Sequence, residues 1–379
     1  MTHPLKAIVV GAGIGGLTSA LALRQAGCDI TVVERAHDLA PAGAGISLWP
    51  NAVHALGSLG LAADLDAISA PGTGSALHRA DGGRLGGSLT DLVPDRFGAP
   101  VVVVHRAELQ AMLVSRLSHD VVHTGWRCAG IERDGNEALV IREGGETLPA
   151  DIVVAADGIH SVIRATVGED APTRYSGYTA WRGVAPINAG AHTGEFLGRG
   201  CLFGIAALSG DRAYWWASVR SRTPITDERR DALVERFGSW AKPIRAVLEA
   251  TPPDNVIVTP LQQRASVTRM AHGRVALVGD AAHPMLPNIG QGGCQSIEDA
   301  VVLGRLVGRA GMHPVEALDD YRTLRERHTR KVVKASAQMA RVVHVGSPIG
   351  VALRNVALRA TPPTSSLRRL APIIGNDAT

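Results

Sequence analysis

Apolar residues in the first part of the chain fall in short unbroken blocks. Lys6–Val10 is an apolar run ending at glycine, as expected of a strand buried on both faces of a parallel sheet. Leu17–Gln25 has helical composition and stops at Gly27, and Asp29–Glu34 is a second strand rich in Ile, Thr and Val. These three segments predict a β-α-β unit. Val101–Val104 is a short strand followed by a helix over about Arg106–Leu117, and Ile152–Ala155 and Val275–Val278 repeat the buried style. Between them the texture changes. From about 173 to 270, tryptophans and alternating runs such as Ala213–Arg220 predict an antiparallel sheet, with one helix near Glu228–Trp240. Beyond 296 the chain reads as helices to about 360, then a Pro-containing tail.

The order of these segments predicts an α/β protein. Nucleotide-type strands near 8, 31, 102, 153 and 276 form one doubly wound, Rossmann-like domain in discontinuous pieces. The expected pieces are 1–70, 99–172 and 271–340. A mainly antiparallel β-sheet domain, 71–98 and 173–270, is inserted into it as the substrate domain, and 341–379 supplies a C-terminal helix and tail.

Composition narrows the class. With 379 residues, 45% hydrophobic and 20% charged, the chain can bury a large core. Its net charge of +4 is spread without a Lys/Arg run of the nucleic-acid type, so no nucleic-acid partner is expected. The densest basic stretch, Arg325–Lys334, reads as a helix with charges around its surface. The four cysteines lie far apart and show no metal-ligand spacing, so no metal is expected. No secretory leader or membrane-length apolar run is evident, and a reduced, cytoplasmic protein is expected, monomeric or homodimeric. The stretch Val342–Ala360 has amphipathic helical character with Arg354 and Arg359. It is neither strongly basic nor aromatic, so packing on the body is expected rather than membrane contact.

Three motifs carry chemistry. Gly11-Ala12-Gly13-Ile14-Gly15-Gly16 lies between a strand and a helix. Gly11 permits the tight turn, Gly13 close approach to a pyrophosphate and Gly16 helix–strand packing, while the helix N-terminus offers free N–H donors. Glu34, at the end of the next strand, can bind ribose hydroxyls. Ala156-Asp157-Gly158 and Gly279-Asp280 each follow a buried strand. The second leads into Pro287-Asn288-Ile289-Gly290-Gln291-Gly292-Gly293, where glycines opening a helix present donors to an anionic ring edge. A simple NAD-binding domain needs neither.

In this order the motifs resemble those of the group A FAD-dependent aromatic-ring hydroxylases, including the salicylate hydroxylase, urate hydroxylase and zeaxanthin epoxidase types, over about residues 5–335. The resemblance implies an FAD-binding Rossmann-like domain of the GR2 type. FAD would be held by Gly11, Gly13, Gly15 and Gly16, with Glu34 at the adenosine ribose and Arg35 near the adenine end. Arg106 would contact the pyrophosphate and ribityl chain, and Asp280 the ribityl chain. Asp157 would support both FAD and nicotinamide cofactor. Pro287, Gly290, Gly292 and Gly293 would flank the isoalloxazine, with Gly45 in a loop on its other side. NADPH or NADH would be a transient electron donor, as no second dinucleotide motif is present, and dioxygen a co-substrate. The implied reaction is hydroxylation or epoxidation of an electron-rich small molecule through a flavin C4a-hydroperoxide.

The substrate is expected between the flavin and the 173–270 sheet, lined by Arg182, Phe203, Tyr214 and Trp216. Tyr214 and Trp216 share one face because side chains alternate along a strand. Arg182 either anchors a carboxylate or phenolate or pairs structurally, and Tyr214 either polarises a substrate hydroxyl or packs. Pro287, Gly292, Arg182 and Tyr214 are thus the candidate catalytic residues. His105, His160 and His283 read as structural. Urate hydroxylases carry Asp where this chain has Asn288, which argues against urate. The competing readings are an FAD-dependent reductase on the same scaffold and a non-catalytic nucleotide-binding regulator.

Overall fold

The computed structural model describes residues 3–39, 43–72, 74–134, 137–169, 171–190, 193–226, 229–264 and 268–375. Strand Lys6–Val10, helix Ile14–Gln25 and strand Asp29–Val33 form the expected β-α-β unit. Lys6–Val10 pairs in parallel with Asp29–Val33 on one side and with Ile152–Ala155 on the other. Ile152–Ala155 in turn pairs in parallel with Val275–Leu277. The outer strands of this six-stranded sheet are Val122–His123 and Ala271–His272. Its central strands are uniformly apolar because both faces are covered, one by helices and the other by the three-stranded sheet Cys128–Asp134, Glu137–Arg142 and Thr147–Ala150. Helices Ile14–Gln25 and Gly292–Val307 pack closely on one another and on the sheet, where Gly304 lies against the Ala22 backbone.

One predicted member of this sheet lies elsewhere. Val102–His105 pairs antiparallel with Gly45–Leu48 and with Ser69–Pro71 in a separate three-stranded sheet. Four consecutive valine-rich positions, buried on both faces, look the same in either setting, so periodicity could not distinguish them. Another three-stranded sheet, Cys128–Asp134, Glu137–Arg142 and Thr147–Ala150, occupies a region the sequence reading left unassigned.

The large sheet has seven strands in the order Ile257–Gln263, Arg174–Ala185, Arg212–Arg220, Cys201–Leu208, Gly194–Leu197, Ala76–Arg79 and Arg84–Gly86. It is antiparallel except where Gly194–Leu197 meets Ala76–Arg79. Two short helices, Arg230–Phe237 and Lys242–Ala250, replace the single helix expected near 228–240, and Glu228 lies outside the described residues. Pro243 at the second helix's first turn allows a new start so soon after the first. Both helices bury Leu233, Phe237, Ile244 and Leu248 against one face of the sheet. The expected tail after 360 contains a further helix, Pro363–Ile374, which begins with a proline at its first turn and buries Leu367, Ile373 and Ile374 against Val93, Val101 and Val332. Residues 376–379 of that predicted tail lie outside the described residues.

Candidate functional site

Three adjacent parallel strands end at one edge of the six-stranded sheet, and each is followed by one of the sequence motifs. The Gly11–Gly16 turn follows Lys6–Val10, Ala156-Asp157-Gly158 follows Ile152–Ala155, and Gly279-Asp280 follows Val275–Leu277. Parallel pairing places all three loops at the carboxyl ends of the strands, the usual crevice for a nucleotide in an open α/β sheet.

The glycines of the first turn meet different demands. Gly11 has φ +107° and its N–H donates to Val33 O at 2.8 Å. A Cβ on Gly16 would lie 1.9 Å from the Gly11 carbonyl oxygen, so that position is closed by backbone. At Gly13 a Cβ would meet nothing within 4 Å, so the space beside the helix N-terminus is open. Gly15 instead faces Ser296 and Val278 at 3.2 and 3.3 Å and serves helix packing. Glu34 already accepts from the Ala12 and Ala36 N–H groups at 2.8 and 2.9 Å, and each of its oxygens retains a lone pair. Arg35 is exposed.

These loops suit FAD on two observations besides the motif. Asp157 Oδ1 is buried and has no hydrogen-bond partner, whereas Oδ2 accepts from Val162 N–H at 2.8 Å. A buried carboxylate oxygen left without a donor calls for one from a ligand. Burial also raises the Asp157 pKa, against the hydrogen bonds it accepts. Asp280 has exposed surface, yet protein surrounds it closely enough to push its carboxyl up, with His283, Arg106 and Arg182 opposing that rise. Asp280 thus stands at the strand-end edge among His283, Arg106 and Arg182.

Arg106, at the start of helix Arg106–Ser115, stands in the same cleft. Its pKa is lowered by burial and by Arg182, and raised by Asp280 and Tyr214. Tyr214 is buried, which raises its pKa, while Arg182 and Arg106 lower it. Arg106, Arg182, Tyr214 and Asp280 therefore form one electrostatic neighbourhood, although 174 residues of chain separate the first from the last. Gly45 lies flat against the Tyr214 ring, where a Cβ would come within 2.3 Å of Cγ. Ile46 packs on Gly293, and the Trp49 N–H lies 3.4 Å from Cys294 Sγ, so the expected loop around Gly45 is instead a strand, Gly45–Leu48, that runs into helix Pro50–Ser58 across the start of helix Gly292–Val307. Gly290 takes φ +65° before that helix, and Gly292 has no atom closer than 3.9 Å to a virtual Cβ. Pro287 is exposed on the same turn.

Strand pairing defines the sheet face that borders the cleft. Arg182 lies opposite Trp216, Trp216 opposite Gly204, and Gly204 opposite Glu195, so these four positions form a row on one face. The Trp216 indole lies across Gly204, and the Tyr214 and Trp216 rings are 5.1 Å apart. Arg182 donates to Thr259 Oγ1 at 3.2 Å, and its Nε is buried without a partner. Phe203 corrects the expectation. It lies opposite Ala217 on the other face, stacked on Trp215 at 5.5 Å under the two helices, so it cannot line this cleft.

Glu195 is the residue that sequence reasoning missed. Its carboxyl is raised by burial and held down by the Trp216 indole N–H. It is half-buried and so, like Asp280, enclosed yet reachable. Nothing in its sequence context, a Gly-Glu-Phe-Leu strand, announces it.

A second buried feature supports the site from below. Asp299 accepts from the Gly279 N–H at 3.0 Å, from His283 Nε2 at 2.6 Å and from Arg325 Nε at 2.7 Å. Burial alone would raise its pKa, but the His283 and Arg325 charges hold it at about 2. Arg325 also donates to Gln295 Oε1 at 2.7 Å and pairs with Glu298 at 3.4 Å. The expectation that Arg325–Lys334 carries its charges around the helix surface fails at Arg325, which is 1% exposed and, through Asp299, ties helix Pro314–Val343 to the Gly279–Asp280 turn. His283 is structural and 1% exposed, and His105 lies 3.1 Å from the Gly43 carbonyl.

Comparison with known proteins agrees with this geometry. The model of the FAD binding domain family matches residues 5–336. Aurachin C monooxygenase/isomerase of Stigmatella aurantiaca is 35% identical over 348 residues, 90% of each chain. 3-Amino-4-hydroxybenzoate 2-monooxygenase of Streptomyces cremeus is 35% identical, covering 94% of this chain and 92% of that protein. The structure of Klebsiella pneumoniae HpxO complexed with FAD and uric acid superposes with a TM-score of 0.90 at 31% identity, over 98% of this chain and 96% of that one.

Proposed function

From the premise that this chain belongs to the FAD binding domain family and is an FAD-dependent monooxygenase, we propose that it takes electrons from NADH or NADPH and hydroxylates an electron-rich aromatic or heteroaromatic compound bearing an anionic group. The observation that carries this reading is that Gly45 lies against the Tyr214 ring while Ile46 packs on Gly293, which brings the Arg106, Arg182, Tyr214 and Asp280 neighbourhood to the Pro287–Gly293 turn.

Bound in the cleft, FAD would supply two-electron reduction by the nicotinamide cofactor and activation of dioxygen. The chain's own groups do the rest. Gly11, Gly13 and Gly16 shape a turn whose helix presents N–H donors to the pyrophosphate. Glu34 would take the ribose, Asp280 the ribityl hydroxyls, and the free Oδ1 of Asp157 a further ligand donor. Arg35 would lie at the adenine end, and Gly45 would give close approach on the ring's second side. The N–H groups of Gly292 and Gly293, at a helix N-terminus, would stabilise negative charge on the flavin's ring edge. Pro287 and Ile289 help exclude water there.

Arg182 holds the substrate's carboxylate or phenolate, since its Nε is otherwise left without a partner. Tyr214 keeps its proton and donates to the ring hydroxyl next to the reacting carbon. Asn288 offers no carboxylate base, so proton acceptance from a substrate N–H or O–H falls to Glu195. The relatives' named substrates, an amino-hydroxybenzoate and uric acid, both carry ring groups that a cation and an acid in this cleft could engage.

The test uses purified protein with FAD. NADH or NADPH oxidation and oxygen uptake are followed across aminated and hydroxylated benzoates, indoles, alkenes and purines. A carboxylated phenol that stimulates both, with a product one oxygen atom heavier, is expected. A protein that cannot be reconstituted with FAD, or that reduces flavin without oxygenating any compound, would overturn the proposal.

A further inference from the structure

Helix Pro348–Ala360 is seated with its polar and apolar sides in unusual places. Arg354 points inward, 6% exposed, and donates to the carbonyls of Gly198 at 3.1 Å and Val343 at 2.9 Å. Leu358 packs with it against Leu85, Leu197 and Leu202 at the edge of the large sheet. Ile349, Leu353 and Val356 point outward and are 76%, 66% and 63% exposed. At 100° per residue these three fall within one stripe, and Ala352, Ala357 and Ala360 complete an outward face without an acidic or amide side chain. Met339 and Val342 are exposed on the last turn of the preceding helix. Contiguous exposed apolar surface of this kind marks an interaction site.

Charge selects the partner. From residue 341 to 375 there are five arginines and no acid, and all but Arg354 (Arg341, Arg359, Arg368 and Arg369) are exposed. Arg359 flanks the apolar stripe, and Arg341 is exposed just before this helix. A second copy joined through this face about a two-fold axis would oppose basic surface to basic surface. An anionic bilayer instead receives the apolar side chains at the headgroup boundary and attracts the basic ones around them. We propose that the outward face of helix Pro348–Ala360 docks on anionic lipid membrane, making the enzyme a peripheral membrane protein. This revises the expectation of body packing alone: Arg354 and Leu358 provide that packing, and the opposite face is left for lipid. No helix among the described residues is long and apolar enough to cross a membrane, so the contact is at the surface.

The test is flotation of the FAD-loaded protein with vesicles of phosphatidylglycerol and phosphatidylcholine, or of phosphatidylcholine alone. Binding to the mixed vesicles is expected, weakened by salt and at least about tenfold lower on phosphatidylcholine alone. The triple variant Ile349→Ser, Leu353→Ser, Val356→Ser should lose binding about tenfold or more, with FAD content and melting temperature unchanged because all three side chains are exposed. Arg359→Glu should weaken binding while leaving the apolar stripe intact. Failure of the wild type to float, or equal flotation of wild type and triple variant, overturns the proposal. A wild-type dimer that the triple variant converts to monomer, without vesicle binding, would also overturn it and assign the face to a second copy.

Discussion

The cleft has two walls that work by different means. On one side, three loops at the carboxyl edge of the parallel sheet act through backbone: Gly11 at φ +107°, Gly16 closed against the Gly11 carbonyl, and open space at Gly13. On the other, the face of the seven-stranded sheet acts through side chains, with Arg182, Trp216 and Glu195 in one row and Tyr214 beside them. The first wall tolerates little change because close backbone approach admits few residue types. The second permits many side chains at each position, since a strand needs only to alternate. A scaffold divided in this way can keep one cofactor and vary its substrate.

The comparison predicts where damage falls. The largest effect belongs beneath the backbone wall. Arg325→Met leaves Asp299 and Glu298 buried without their cation and should cost about 3–5 kcal/mol of stability. Thermal melting should register it together with weakened FAD retention, because the Gly279–Asp280 turn hangs on Asp299. Within the glycine turn, Gly16→Ala must displace backbone and should cost about 1–3 kcal/mol, whereas Gly13→Ala should leave the melting temperature nearly unchanged and weaken FAD binding. Equal melting temperatures for the two variants would contradict the division of roles.

On the side-chain wall, Arg182→Gln should lower kcat/KM for a carboxylated substrate by about 1.5–3 kcal/mol, roughly ten- to a hundredfold, with FAD content unchanged. A neutral substrate should lose far less, and an equal loss for both would remove Arg182 from substrate recognition. A last effect, confined to acid pH, concerns His344, which lies 2.7 Å from Ser218 on the cleft face of the sheet. Burial lowers its pKa from 6.5 to about 4. The unfolded chain therefore binds this proton first, so the stability tied to neutral His344 is present above about pH 6.5 and is lost as pH falls toward 4. Melting curves of His344→Gln should show a shallower slope than wild type across that window.

Much of the backbone wall was legible in advance. The β-α-β unit, the three motif-bearing strand ends and the inserted sheet follow from apolar runs, glycine spacing and alternation, all local properties. The misplaced Val102–His105 strand marks where local reading stops, because a short apolar run does not specify its partner. Arg325 was misread for a related reason: its sequence neighbours are charged, and only the approach of helix Gly292–Val307 brings Asp299 and Glu298 to it.

By itself, then, the sequence determined the nucleotide-binding half of this protein, since turns that admit only glycine and strands that are wholly apolar leave a direct trace in residue order. Tertiary structure alone decided that Phe203 faces the helices while Trp216 faces the cleft, that Glu195 lies across Trp216 from Arg182, and that helix Pro348–Ala360 buries Arg354 and exposes Ile349, Leu353 and Val356. Those outcomes depend on which surfaces meet across long stretches of chain, and a side chain's facing is fixed only when its element finds the neighbour it packs against.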